Sequence, residues 1–447
     1  MSTADIVICG AGMAGIATAY HLAVKHNIKN TLLIDEFQPL SVTSAVGTEA
    51  YRNWWPGPGD TMVRFMNRSI DLLEELAEES NNVFQMNRRG YAFFTANPAQ
   101  VSVWKEAVAE VSALGAGPVR EHPGLVSYIP FQADGFDKTL NGADLVLDPV
   151  AIREQFPFIT DQVIAMLHVR RCGWINNKRL GKWLFEQAIE HGVRFKQDKV
   201  IGINIHSGRV QYIQLASGAT IETHRFVIAA GPFLKPVADL LGLNLPVFNE
   251  LHGKITFKDR LGVISRPAPF MFWSDPVSLP WTDEERIRWD SNSDTRWLLE
   301  EFPGGVQCRQ RGNDLLALWT YDVHAKEPIW PPTFDPHYPE IVLRGLSAMI
   351  PAMKNYFGEK VYVDGGYYCK TRENRPLIGP LAVEGAYVIG ALSGYGVMAS
   401  QAAAELLSAH IAETQLPDYA RMFRLDRYDD PEYLKVLENW DAKSGQL

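Results

Sequence analysis

Two features of this 447-residue chain point most directly to chemistry: the run Gly10-Ala11-Gly12-Met13-Ala14-Gly15, and the acid pair Asp35-Glu36. Three glycines at this spacing suit a turn that receives a pyrophosphate. The first permits a tight bend, the second lets the backbone approach the phosphates, and the third lets a helix pack closely on its strand. A helix opening at Met13 and Ala14 would aim unpaired N–H groups and a partial positive charge at the anion. Asp35 follows Gly15 by 20 residues, where a carboxylate can accept hydrogen bonds from ribose hydroxyls. Other chemistries find less support. The four cysteines, Cys9, Cys172, Cys308 and Cys369, stand far apart with no CxxC pair, as thiols do in a reducing compartment. The 11 histidines form neither HxH nor HExxH, so no metal site is expected.

The elements needed to position these residues are legible around them. Ile6-Val7-Ile8-Cys9 is an apolar run of strand length, and Ile16, Ala19, Tyr20, Ala23 and Val24 recur at helical spacing. Thr31-Leu32-Leu33-Ile34 reads as the second strand of a βαβ unit. Phe226-Val227-Ile228 ends in Ala229-Ala230-Gly231, small residues that let the chain pass close to a dinucleotide. Tyr387-Val388-Ile389 runs through Gly390 into Ser393-Gly394-Tyr395-Gly396 and a helix over about 397–410, a second glycine-loop-to-helix junction. Thr61 to Glu79 is a helix with Met62, Phe65, Met66, Ile70, Leu72, Leu73 and Leu76 inward; others are expected near 101–114, 180–191 and 340–353. Strands are expected over 203–215 and 220–228, with a hairpin from 306–310 to 315–320 turned at Gly312-Asn313. Residues 37–60 form a loop rich in Gly, Pro, Ser and Thr, a length usually reserved for function.

Composition narrows the class. A chain of this length exceeds one ordinary core, and 46% hydrophobic with 11% aromatic residues suits a globular enzyme with large pockets. A net charge of −9 argues against nucleic acid as a partner. No apolar run approaches membrane-spanning length, and the N-terminus enters a strand too early to leave room for a signal peptide, so a cytoplasmic location is expected.

The fingerprint, the Val227-Ile228-Ala229-Ala230-Gly231 strand end and the Gly390–Gly396 loop together resemble the sarcosine oxidase / D-amino-acid oxidase superfamily of FAD-dependent amine oxidoreductases. The resemblance covers most of the chain and is weakest over 98–145. It implies an α/β fold: a doubly wound, Rossmann-like FAD-binding domain (1–80, 146–240 and 364–412) interleaved with a mostly antiparallel substrate domain (81–145 and 241–363). A tail, 413–447, follows. It implies FAD rather than NAD. Beside Gly10, Gly12, Met13, Ala14, Gly15, Asp35 and Glu36, it assigns Thr43, Ser44, Val200, Ala230, Gly231, Gly394, Gly396, Val397 and Met398 to the cofactor. Thr48-Glu49-Ala50-Tyr51-Arg52 resembles the segment whose arginine reaches the substrate side of the flavin, making Arg52 the candidate for a substrate carboxylate. Tyr367–Thr371 resembles a pocket-lining stretch, so Tyr368 and Lys370 inherit catalytic positions. Tyr395 joins them, and Trp54, Trp55, Tyr368 and Tyr395 are expected as an aromatic cage for an amine.

Departures from the family pattern matter as much. Met398 stands where monomeric sarcosine oxidases carry a carboxylate-binding lysine. Gly366 stands where they carry a flavin-tethering cysteine, and Ser44 is near the tethering histidine of dimethylglycine dehydrogenases; the flavin is therefore expected to be non-covalent. No lysine occurs from Glu301 to His324, where oxidases place one for oxygen; Lys254 and Lys258 are the substitutes at hand. The activity implied is oxidation of a C–N bond in an amine or amino acid, N-substituted by expectation. Hydride passes to flavin N5, giving an imine that hydrolyses. The acceptor of the electrons is oxygen or a redox partner. Two alternatives stay open: a flavin dehydrogenase of a 2-hydroxy acid or polyol, and a non-catalytic FAD-containing assembly subunit.

Overall fold

The computed structural model describes residues 2–124 and 127–440; the last residues of the expected tail, 441–447, lie outside them. Two large sheets organise the chain. The six-stranded sheet runs Arg194–Gln197, Thr31–Asp35, Ile6–Cys9, Phe226–Ile228, Ala386–Gly390, Leu377–Pro380. Its first five strands are parallel and the last is antiparallel. Both faces are covered, which is why its strands read as continuous apolar runs. Ile6 and Ile8 face the helices Met13–Tyr20 and Gly396–Ile411. Val7, Leu32 and Phe226 face the other way, into a core shared with the smaller sheet of Val200–His206, Arg209–Leu215 and Thr220–Glu222.

The nine-stranded sheet runs Tyr362–Lys370, Phe248–Lys258, Asp314–Leu318, Val306–Arg311, Phe270–Trp273, Tyr91–Thr95, Ala165–Val169, Ala143–Val146, Val119–His122. Pairing is antiparallel except at Phe270–Trp273 with Tyr91–Thr95 and at the Val119–His122 edge. The pleat divides its residues cleanly. Ala92, Phe94, Met271 and Trp273 pack under the helix Tyr338–Met349. Tyr91, Phe93, Phe270 and Phe272 point to the opposite face, toward the six-stranded sheet.

Several expectations shift here. Segments 146–240 and 364–412, expected with the cofactor domain, each contribute a strand to the large sheet: Ala165–Val169 and Tyr362–Lys370. The single strand expected over 220–228 is two, Thr220–Glu222 and Phe226–Ile228, in different sheets. An apolar run announces a strand, but the partner it joins depends on residues far away in sequence. Residues 98–145 supply the helix Pro98–Val111, the edge strand Val119–His122 of the large sheet and most of its neighbour Ala143–Val146. The tail folds into helical segments at Asp418–Phe423, Leu425–Asp429 and Pro431–Glu438. No helix among the described residues is long and apolar enough to cross a membrane.

One buried histidine carries a consequence for stability. His168 sits beneath Gly90, whose φ of +84° no side chain could share, since a Cβ would fall 2.1 Å from the His168 Nε2. Nε2 donates to the Arg89 carbonyl at 2.9 Å, while Nδ1 lies 2.8 Å from Arg170 Nη1 and 2.9 Å from the Tyr128 hydroxyl. A guanidinium only donates, so Nδ1 is an acceptor and the ring is neutral. Burial, with Arg170 beside it, lowers the His168 pKa to about 3. Burial likewise lowers His21 to about 4. Both folded-state values lie below the unfolded value near 6.5, so the unfolded chain takes up protons that the native state refuses. Stability should therefore fall as pH drops from about 6.5 toward 4, by up to roughly 1.4 kcal/mol per pH unit for each ring. Tm measured across that range should decline before most carboxylates titrate, and His168→Gln should flatten the slope. An unchanged slope in that variant would remove His168 from the explanation.

Candidate cofactor and substrate site

At the end of Ile6–Cys9 the chain bends through Gly10, at a φ of +117°. A Cβ there would lie 2.3 Å from the Ala229 carbonyl oxygen, and one at Gly15 would lie 1.8 Å from the Gly10 carbonyl oxygen. The glycines thus let the turn, its helix and the Ala229 strand end nest together. The opening N–H groups are braced from the side: Met13 N donates to Ser44 Oγ at 3.0 Å, and Ala11 N to Asp35 Oδ2 at 2.6 Å. Asp35 also accepts from Phe37 N at 2.8 Å, so it secures the loop as well as facing the cavity. Burial pushes its carboxyl up, against those two donors. Glu36, also on the wall, pairs with Lys199 at 2.9 Å.

From this turn a cavity of about 500 Å³ extends to the second glycine junction. Its wall brings together Gly10, Gly12, Met13, Ala14, Asp35 and Glu36 with Thr43, Ser44 and Val200. Ala230, Gly231, Gly394, Gly396 and Val397 complete the expected set on that wall. Gly15 is not on it, because its place is the helix–strand contact, and Met398 faces the neighbouring cavity instead. Neither position that resembles a tethering site, Gly366 or Ser44, carries a cysteine or histidine. A Cβ at Gly366 would come 3.0 Å from Thr43 Cγ2. Cys369 lines the cavity, but burial raises its thiol to about 12, leaving it a poor nucleophile.

A second cavity, about 240 Å³, adjoins the first. Thr48, Ala50, Tyr368, Ser393 and Gly394 line both, so they mark where the two meet. Gly394 is required there: a Cβ would fall 2.3 Å from the Tyr368 ring. Tyr91, Phe270 and Phe272 supply an aromatic wall from the large sheet. Arg52, at the end of the strand Ala50–Arg52, is the only permanently charged side chain among the described residues of this wall. Its Nε donates to the Trp54 carbonyl at 3.2 Å, and its guanidinium lies over Trp55 at 4.5 Å. Burial pulls its pKa down, opposed by Tyr91 and other neighbours.

The expected aromatic cage is not assembled. Trp54 and Trp55 are 1% and 2% exposed and line neither cavity. Trp55 instead supports Arg52 and meets Tyr395 edge-on at 4.9 Å. The Tyr395 ring lines the smaller cavity, but its hydroxyl donates to the Asn374 carbonyl at 2.6 Å.

Lys370 also departs from expectation: it lines neither cavity. Strand pairing sets Glu250 opposite Tyr368 and His252 opposite Gly366, so these side chains share a face with Lys370. Lys370 Nζ donates to Glu250 Oε2 at 2.6 Å, and His252 Nε2 donates to the same oxygen at 2.8 Å. Burial would raise the Glu250 pKa, but these two donors hold it below the usual range. His252 Nδ1 takes the Thr320 hydroxyl at 3.1 Å, and its ring stacks on Tyr368 at 4.0 Å. Lys370 therefore acts from behind, fixing the histidine that supports Tyr368 on the cavity wall. The alternation Glu250-x-His252-x-Lys254 was the available signal, since residues two apart on a strand share a face.

The remaining cations shape the loop between the cavities. Arg309, 1% exposed, donates to the Thr48 carbonyl at 2.7 Å and to Glu49 at 3.1 Å. Burial brings its pKa to about 10. Lys254 donates to the Val46 carbonyl at 2.6 Å and pairs with Asp364, while Lys258 is exposed. Neither lysine lines either of the two cavities.

Comparison with known proteins agrees with this arrangement. The model for the FAD dependent oxidoreductase family, DAO, matches residues 5–410. Human mitochondrial dimethylglycine dehydrogenase is 25% identical over 253 residues, 56% of this chain and 26% of that protein. Sarcosine oxidase subunit beta of Rhizobium meliloti is 24% identical over 250 residues, 54% of this chain and 53% of that protein. The matched stretch is thus little more than half, or far less, of these curated relatives. In fold, the chain is similar to L-proline dehydrogenase from P. horikoshii, with a TM-score of 0.73 at 18% identity over 96% of this chain and 98% of that one. Glycine oxidase from Geobacillus kaustophilus gives a TM-score of 0.73 at 15% identity, covering 96% and 99%. The fingerprint turn, the cavity beside it and the family match lead to one conclusion: this chain belongs to the DAO family of FAD-dependent oxidoreductases.

Proposed function

We propose that this protein oxidises the C–N bond of a small carboxylated amine, an amino acid that is N-substituted. The observation that carries the reading is the placement of Arg52 as the charged group on a 240 Å³ aromatic cavity opening onto the larger one. The relatives' names, dimethylglycine dehydrogenase and sarcosine oxidase, fit a substrate of this kind.

The residues of the larger cavity fit FAD. Gly10 and Gly15 let the turn, its helix and the Ala229 strand end pack closely beside the cavity, and Ser44 and Asp35 hold the surrounding N–H groups in place. Burial raises the Cys369 thiol pKa, which supports a non-covalent flavin. When bound, FAD would supply the oxidant, the chemistry being removal of a hydride from the carbon beside the substrate nitrogen. The chain supplies binding and orientation. Arg52 holds the carboxylate with a planar, two-pronged donor set. Phe270, Phe272 and Tyr91 cover the apolar body of the substrate and exclude water, which strengthens the contact with Arg52. The helix Gly396–Ile411 starts beside the junction of the cavities, and its N-terminal N–H groups favour negative charge there. Release of the imine to water completes the reaction as an aldehyde or keto acid plus amine.

The test is a visible spectrum of the holoenzyme in an oxygen-free cuvette, with N-methyl and primary amines added with and without a carboxylate. Bleaching by carboxylated amines alone is the expected result. Bleaching by hydroxy acids and by no amine would replace this reading. The rate of recolouring in air then separates oxygen from a redox partner as electron acceptor.

A further inference from the structure

The family match ends at residue 410, and the chain beyond it packs against a loop of the smaller cavity. Arg427, 4% exposed in the helical segment Leu425–Asp429, clasps that loop, which runs from Thr371 to Pro376. Its Nη2 donates to Glu373 Oε1 at 2.7 Å, and its Nη1 to the Pro376 carbonyl at 2.7 Å. Tyr428 and Tyr433 donate to the same Glu373 oxygen at 2.8 and 2.9 Å. Thr371 closes the loop on itself: its hydroxyl donates to the Arg375 carbonyl at 2.7 Å and accepts from Arg375 N at 3.0 Å. Burying a carboxylate and a guanidinium costs desolvation that offsets much of their attraction, so the pair adds little net stability. What it fixes is the shape of the loop.

That shape reaches the substrate side through a short chain of contacts. The Asn374 carbonyl accepts the Tyr395 hydroxyl at 2.6 Å. The Tyr395 ring, on the cavity wall, meets Trp55 edge-on at 4.9 Å. Trp55 in turn carries the Arg52 guanidinium over its ring at 4.5 Å, and its Nε1 donates to the Arg52 carbonyl at 3.4 Å. Each link is a rigid ring or a hydrogen-bonded backbone group in a closely packed interior, which transmits a displacement. A two-pronged contact with a carboxylate depends on the plane of the guanidinium, so Arg52 is sensitive to such a displacement.

We propose that Arg427 is a positioning residue for substrate binding: through Glu373, Asn374, Tyr395 and Trp55 it sets the plane in which Arg52 receives the substrate carboxylate. The inference rests on the carboxylate-binding reading of Arg52 above and deepens it, by adding the C-terminal segment to the parts of the chain that shape the site.

The experiment is a double-mutant cycle on the holoenzyme, followed by the flavin spectrum, with cyclopentanecarboxylate as the probe. This acid has a carboxylate and no nitrogen, so it binds without being oxidised. Arg427→Lys keeps a positive charge beside Glu373 and gives up the second prong to Pro376. With Arg52 present it should weaken the acid about fivefold or more, at unchanged FAD content. Arg52→Lys keeps a charge but has no plane to orient. In that background the same Arg427→Lys change should weaken the acid less than about twofold. Tyr428→Phe with Tyr433→Phe leaves the Arg427–Glu373 pair in place while loosening Glu373, and should repeat the pattern on a smaller scale. Equal weakening in both Arg52 backgrounds, or none where Arg52 is present, would overturn the inference while Arg52 keeps its role. Wild-type enzyme that binds the acid no more tightly than Arg52→Lys would instead overturn the reading beneath it, and the inference with it.

Discussion

Arg52→Ala should lower kcat/KM for carboxylated amines by roughly two to three orders of magnitude while leaving FAD content unchanged. The loss reflects a substrate carboxylate held in a buried cavity without its counter-charge, a change worth about 3–5 kcal/mol. Amines lacking the carboxylate should be affected far less, which separates loss of the charge pair from general damage to the cavity. Arg52→Lys should recover only part of the rate, because a lysine is a point charge without the fork and cannot lie flat over Trp55 as the guanidinium does. Steady-state kinetics on the wild type and both variants decide the matter. Unchanged kcat/KM in Arg52→Ala would remove Arg52 from substrate binding. Arg309→Ala serves as the contrast. Its guanidinium is spent on the Thr48 carbonyl and Glu49, so its loss should loosen the loop and lower Tm.

Gly10→Ala should leave little or no holoenzyme. Its Cβ would be 2.3 Å from the Ala229 carbonyl oxygen, a backbone atom at the end of a central strand, and its φ of +117° is one that L side chains rarely adopt. Relief requires moving the strand end or the turn, at a cost of roughly 3 kcal/mol or more. Either movement spoils the cradle for the pyrophosphate. Gly12→Ala is the milder companion, because its Cβ meets only the Ser44 hydroxyl, at 3.2 Å. That variant should fold and lose FAD affinity as Ser44 is displaced from Met13 N. The ratio of flavin to protein absorbance, with Tm, reads both variants. Gly10→Ala with full FAD and Tm within about 2 °C of wild type would show that the turn tolerates a side chain.

What the residues dictate locally was legible in advance. The Gly10–Gly15 turn, Asp35 at the next strand end, the apolar face of Thr61–Glu79 and the closing Ser393–Gly396 loop depend on neighbours within a turn or two. Their backbone requirements are written into residue type, above all into glycine. Arg52 was reached through resemblance, and the cavity around it is built by eight separate stretches of the chain. The fate of Trp54 and Trp55 could not be read from composition, since an aromatic pair beside a proline serves equally as cage or as support.

Tertiary structure alone decided the rest. Ala165–Val169 joins the large sheet because it pairs with Tyr91–Thr95, and nothing within its own five residues specifies that partner. Lys370 is withdrawn from the cavity by Glu250, 120 positions away, through a strand register that no local pattern records. Asn374 is brought to the wall by a loop anchored to Arg427, 54 positions beyond Glu373. Periodicity reports which face of an element is buried, whereas a site is made where faces from distant segments converge. That convergence is set by long-range pairing and packing, and so it becomes visible only in the folded chain.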